Sequence, residues 1–217
     1  MKTSDKKYDE KYYNSVYKTH LNKSGYSLKL SSFWMYNIFT YYGFDLKDKK
    51  ILDFGCGPGH LTDSINADCF DVSEYAKQKL KDKGRFFFEL RSEIPQNYYD
   101  YILSSHSLEH SIEPNIELKR LYESLKDNGY LFLCLPIESS PGQKVFHQDI
   151  HKHMYCWNFQ TITNLLIESD FSIVIQDIIH GPTGLKYLNN FKMIRSLGRI
   201  KSHFPSIFVV AQKNNVK

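Results

Sequence analysis

The sequence predicts an α/β fold: a mostly parallel sheet with helices on both faces, behind a helical N-terminal cap. Three observations predict it. Seven short apolar runs recur from Ile51 onward, polar stretches of helical length separate them, and a glycine-rich turn, Gly55-Cys-Gly-Pro-Gly59, follows the first run at once. Strands alternating with helices of about 10–15 residues form parallel sheets, because each crossover returns the chain to the same end of the sheet. The 217-residue chain reads as a single domain over 1–217, with a helical cap or lid at 1–45, a core at 46–180, a basic helical insert at 181–205 and a last strand at 206–213.

Each element has its own signal. The first 45 residues are helical in pattern and rich in tyrosine, and Tyr8, Tyr12, Tyr13 and Tyr17 put several rings on one helical face, as a lid would. The candidate strands are 51–54, 67–70, 85–88, 99–104, 130–135, 172–177 and 207–211. Ser73 is a candidate N-cap for a helix through Lys83, Pro114 fits a first helical turn, and Asn158 fits the N-cap of a helix through Glu168. Gly84 and Gly129 are placed at helix C-caps.

Composition excludes several classes. With 41% hydrophobic residues, 24% charged residues and a mean hydropathy of -0.46, the chain is neither disordered nor fibrous. The longest apolar run, Tyr130 to Ile137, falls far short of the roughly 18 residues that span a bilayer. The polar start, Met1 to Lys7, has no secretory pattern, so a cytoplasmic location is expected. Cys56, Cys69, Cys134 and Cys156 lack zinc-like spacing and read as reduced thiols. Past Asp177 there is no acid but there are seven bases, and these supply the whole net charge of +4.

The glycine turn binds a ligand against its backbone, since residues without Cβ allow close approach. His60 stands where a dinucleotide fingerprint needs glycine, and the turn lacks the Gly-Lys-Ser/Thr end of a triphosphate loop. Asp53 is suited to accept from loop amides or from a cationic amine, and Asp71, at the tip of the second strand, to take both hydroxyls of a ribose.

Together Ile51-Leu-Asp-Phe-Gly-Cys-Gly-Pro-Gly-His60, Phe70-Asp-Val-Ser73, Tyr99 to His110, Leu125 to Leu133 and His151-Lys-His-Met-Tyr-Cys-Trp157 resemble the class I S-adenosylmethionine-dependent methyltransferases, over about residues 50 to 177. The resemblance implies a Rossmann-like seven-stranded sheet with a reversed final hairpin, and S-adenosyl-L-methionine as cofactor. The implied cofactor set is Asp53, Gly55, Cys56, Gly57, Gly59, Asp71, Val72, Ser104, Ser105 and His106, with Tyr13 from the lid. Asp71 follows Gly59 by only twelve positions, so the first crossover helix is expected to be about a turn and a half short. The adenine contact stays unassigned.

Transfer to a hydroxyl needs a base, and histidine suits neutral pH. His153 and His151 lead as candidates, followed by His110 and His106. His106, Glu109 and His110 with His151 or His153 offer ligands to a divalent ion, but His106 stands where such a pattern carries Glu, and no metal is expected. The expected acceptor is a small molecule, anionic or a sugar, as in surface-polysaccharide synthesis. Nucleic acid is disfavoured by the modest charge excess, no membrane span is expected, and the oligomeric state stays open. The alternatives are a catalytically silent, cofactor- or partner-binding member of the fold and a metal-assisted RNA or sugar 2'-hydroxyl methyltransferase.

Overall fold

Four consecutive buried residues form the first strand, β1 (Ile51–Phe54), and such continuous burial marks a strand covered on both faces. The structure is a computed structural model that describes residues 8–15, 28–137, 151, 153–180 and 205–214. The further strands are β2 (Asp68–Phe70), β3 (Phe87–Phe88), β4 (Tyr99–Ser105), β5 (Leu125–Pro136), β6 (Phe171–His180) and β7 (Pro205–Lys213). They form one seven-stranded sheet in the order β3-β2-β1-β4-β5-β7-β6. The chain divides into two compact units, one within 1–94 and 180–203, the other within 95–179 and 204–217.

In the first unit β1 runs parallel to β2, with Asp53 opposite Cys69, and β2 runs parallel to β3. Residues 10–15 and α1 (Leu28–Tyr41) are helical. Helix α2 (Glu74–Asp82) links β2 to β3 and starts where expected, the Ser73 hydroxyl accepting from the Ala76 N–H. Gly84 adopts φ +66°, the left-handed conformation that ends a helix. The short crossover helix expected between β1 and β2 is absent: residues 61–64 are turns. Gly59, at φ +75°, is not in a helical conformation, and the Pro58 and Gly59 carbonyls, Thr62 and Asp63 are held by Lys83 and Arg85 instead of by a helical ladder.

In the second unit β4 is parallel to β5, and β7 lies antiparallel against β5, with Cys134 opposite Phe208. The middle of β4, β5 and β7 is buried, with Leu103, Leu131, Leu133 and Val209 wholly enclosed, whereas β6 alternates between half-buried and exposed residues along most of its length. Helix α3 (Pro114–Ser124) has proline in its first turn, and α4 (Phe159–Ile167) is capped by Asn158, which accepts from the Thr161 N–H at 2.9 Å. Gly129 is not a helix cap. Helix α3 gives way to β5 at Leu125, and β5 then bulges, Tyr99 pairing with Leu125 but Tyr101 with Tyr130. A Cβ at Gly129 would lie 2.8 Å from the Lys126 carbonyl oxygen, so the bulge closes only on glycine.

The basic insert up to residue 204, the loop 138–150 with His147, and Tyr17 lie outside the described residues. No helix among the described residues is long and apolar enough to cross a membrane.

Candidate functional site

The turn after β1 is a left-handed run: Gly55, Gly57 and Gly59 have φ of +74°, +52° and +75°. Its amides are committed. Gly55 and Cys56 donate to the Phe70 carbonyl, and Gly57 N–H donates to Asp71 Oδ2 at 2.7 Å. Asp71 Oδ1 accepts from Ser73 N–H at 2.8 Å, so two backbone amides orient the carboxylate at the tip of β2 and leave each oxygen a further lone pair. Burial raises the Asp71 pKa, while the Ser73 and Gly57 amides pull it back. Val72, the residue between Asp71 and its amide donor Ser73, is half-buried.

Asp53 is only 1% exposed, and its Oδ2 accepts from the Thr62 hydroxyl at 2.7 Å. This differs from the expected loop amides, which Phe70 and Asp71 take. Burial pushes the Asp53 carboxyl up to about 6, against the opposing influence of Thr62 and of the Arg85 charge. Arg85 itself donates to the Gly59 carbonyl at 2.8 Å and to Thr62 Oγ1 and the Ala67 carbonyl at 3.1 Å. Lys83 donates to the Pro58 carbonyl and pairs with Asp63 at 2.9 Å. Two cations from the end of α2 thus do what the missing crossover helix would have done. Sequence reasoning missed Thr62 and Arg85, because neither belongs to a local pattern. Cys56 is a poor nucleophile, its thiol pushed well up by burial.

Tyr13 is buried and stacks on Tyr75 at 5.4 Å, while the Ser73 hydroxyl donates to the Tyr8 carbonyl. The N-terminal aromatic segment therefore docks beside the residues that hold Asp71.

The second unit contains the other candidates. Ser104 is buried, Ser105 ends β4, and His106 follows in the left-handed region at φ +52°, a strained conformation for a non-glycine residue. Its Nδ1 lies 3.6 Å from Glu109 Oε1, and its Nε2 lies 3.3 Å from Ser206 Oγ and 3.8 Å from Cys134 Sγ. The Cys134 thiol is pushed up to about 12 by burial and is no competing nucleophile. The Glu109 side chain is 0% exposed, in the short 3-10 turn Leu108–His110. The rings of His110 and His153 lie 5.0 Å apart, and those of His151 and His153 5.5 Å apart. All four candidate histidines thus belong to the second unit, and Glu109, noted in the sequence only as a possible ligand, has His106, His110 and His153 around it.

The model of a methyltransferase domain family matches residues 29–176, more than half of the chain. The chain belongs to this family. It is a class I methyltransferase, and S-adenosylmethionine is its methyl donor. Solved structures agree on the fold. A methyltransferase from Archaeoglobus fulgidus is 18% identical with a TM-score of 0.61, over 91% of this chain and 99% of that one. The 1,6-didemethyltoxoflavin-N1-methyltransferase of Burkholderia thailandensis, solved with its substrate and S-adenosylhomocysteine, is 14% identical with a TM-score of 0.59, over 94% and 87%. The cyclase SpnF is 17% identical with a TM-score of 0.55, over 76% and 74%. Comparison with curated proteins gives no significant match. In this methyltransferase the glycine turn and the oriented Asp71 fit the cofactor: an anionic acceptor with spare lone pairs stands beside backbone that a ligand can approach closely.

Proposed function

We propose that the protein transfers a methyl group to a hydroxyl oxygen of a small glycosidic or anionic acceptor, with His106 as the base. One observation carries this reading: an imidazole at the end of β4, 48% exposed and held in a strained backbone, has a fully buried carboxylate 3.6 Å behind its Nδ1. Glu109 favours the tautomer with the proton on Nδ1, so Nε2 keeps its lone pair, in the manner of a base oriented by an acid.

S-adenosylmethionine supplies an electrophilic methyl carbon whose leaving group is a neutral thioether. The protein has no departing anion to stabilise. Its work is to hold the acceptor in line, which is worth several kcal/mol, and to take the hydroxyl proton. Asp71 would hold the ribose, the turn at Gly55 and Gly57 the amino-acid end of the cofactor, and Asp53 its cationic amine, directly or through the turn. His106 Nε2 would accept the acceptor proton, and Ser206 Oγ lies 3.3 Å from it. The acid-free stretch past Asp177, with its seven bases, supports an anionic acceptor. A cytoplasmic location suits such a substrate.

The test is transfer of labelled methyl to a panel of sugars, uronic acids, sugar phosphates and matched amines. Hydroxyl acceptors are expected to be labelled, and His106→Ala to lower kcat by about a hundredfold or more. Labelling of amines alone, or a fully active His106→Ala, would overturn the reading.

A further inference from the structure

We infer that Glu109, His110 and His153 form a binding site for one divalent first-row metal ion. Each residue offers one ligand atom, and these atoms all lie within 4.8 Å of one another. Atoms bound to one ion at about 2.1 Å lie at most about 4.2 Å apart, so small side-chain rotations close the set.

The scaffold holds the three residues together independently of any ion. Glu109 and His110 sit in one 3-10 turn, whose His110 N–H donates to the Ser107 carbonyl at 3.1 Å. The segment after His153 is tied to that turn twice: Met154 N–H donates to the Glu109 carbonyl at 2.8 Å, and the Tyr155 hydroxyl to the Ile112 carbonyl at 2.9 Å. Stacking of Tyr155 on Trp157 at 5.2 Å stiffens the segment further. A preorganised donor set costs less to close around an ion than one assembled from free loops.

The donor types choose the ion. Two imidazoles and one carboxylate suit zinc, cobalt, manganese or ferrous iron, whereas magnesium and calcium prefer all-oxygen shells. Three protein ligands leave positions open, and the oxygen of an acceptor hydroxyl fits there and becomes more acidic. This role rests on the methyl-transfer reading above, but binding of the ion does not.

The test uses the full chain without an affinity tag and cobalt(II) alone, followed by calorimetry and visible absorption. One saturating equivalent with ligand-field bands is expected, weakened about tenfold or more in His110→Ala and in His153→Ala. Cys156→Ser, which removes the exposed thiol nearby, is expected to bind as the wild type does. Far-ultraviolet circular dichroism and thermal unfolding of each variant separate a lost ligand from a lost fold. Absence of saturable cobalt or zinc binding by the wild type overturns the site, as does undiminished binding in both folded histidine variants. Binding that leaves the methyl-transfer rate unchanged against the chelated protein overturns the role at the acceptor alone.

Discussion

Asp53 and Asp71 are both buried acids beside one glycine turn, yet they behave differently because their partners differ. Asp71 is held by two backbone amides, so its geometry is fixed before any ligand arrives. Asp71→Ala is expected to weaken S-adenosylhomocysteine binding about ten- to a hundredfold, the value of one or two charge-assisted hydrogen bonds, read by calorimetry. Asp53 has one hydroxyl partner, and its carboxyl is raised from 3.8 to about 6. The folded protein therefore binds this proton more tightly than the unfolded chain. The group's contribution to stability falls as pH rises from 3.8 to about 6 and stays as a penalty above that window. Asp53→Asn is expected to raise the unfolding midpoint at neutral pH, with the difference from wild type shrinking as pH falls through the same window, measured by thermal unfolding at a series of pH values. Gly59→Ala is expected to cost about 1–3 kcal/mol in urea unfolding, because a Cβ there meets Leu80 Cδ2 at 2.7 Å in a backbone of φ +75°.

At the scale of elements, the connection from β1 to β2 shows how a missing helix is replaced. Arg85 ties Gly59, Thr62 and Ala67 together, and through Thr62 it reaches Asp53. Arg85→Ala is expected to lower both stability and cofactor affinity, while Arg85→Lys, with one donor group in place of a fork, restores little of either; paired unfolding and calorimetry check this. The N-terminal segment is a second such case. Tyr13 on Tyr75 and Tyr8 on Ser73 join it to the start of α2, beside Asp71. Deleting residues 1–20 is expected to weaken cofactor binding several-fold with the sheet intact, measured by calorimetry and circular dichroism, and unchanged binding would end the lid reading. Helix starts at Ser73, Pro114 and Asn158 were legible because caps are local chemistry. Gly129 was misread because the same residue serves a helix end and a strand bulge, and only the nearby Lys126 and Tyr99 carbonyls distinguish them.

For the whole molecule, ligand binding to the folded state alone raises its stability by mass action. At a hundred times its Kd, S-adenosylhomocysteine is expected to add about 2.7 kcal/mol to unfolding, and Asp71→Ala to lose about half of that gain or more, measured by thermal unfolding with and without ligand. The sequence by itself determined the strand and helix alternation, the glycine turn, the acid at the tip of β2 and the family, since each is written in residues close together in the chain. It also named all four candidate histidines and put His153 and His151 first, whereas the proposed base is His106, placed last. The grouping of His106, His110 and His153 around one buried carboxylate brings Glu109 together with a residue 44 positions away, which no local pattern encodes. The same holds for Thr62 under Asp53, for Arg85 bracing the turn and for Ser206 facing His106. Tertiary structure alone decided these, because burial and long-range hydrogen bonds set the pKa, tautomer and reach of a side chain whose identity the sequence had already supplied.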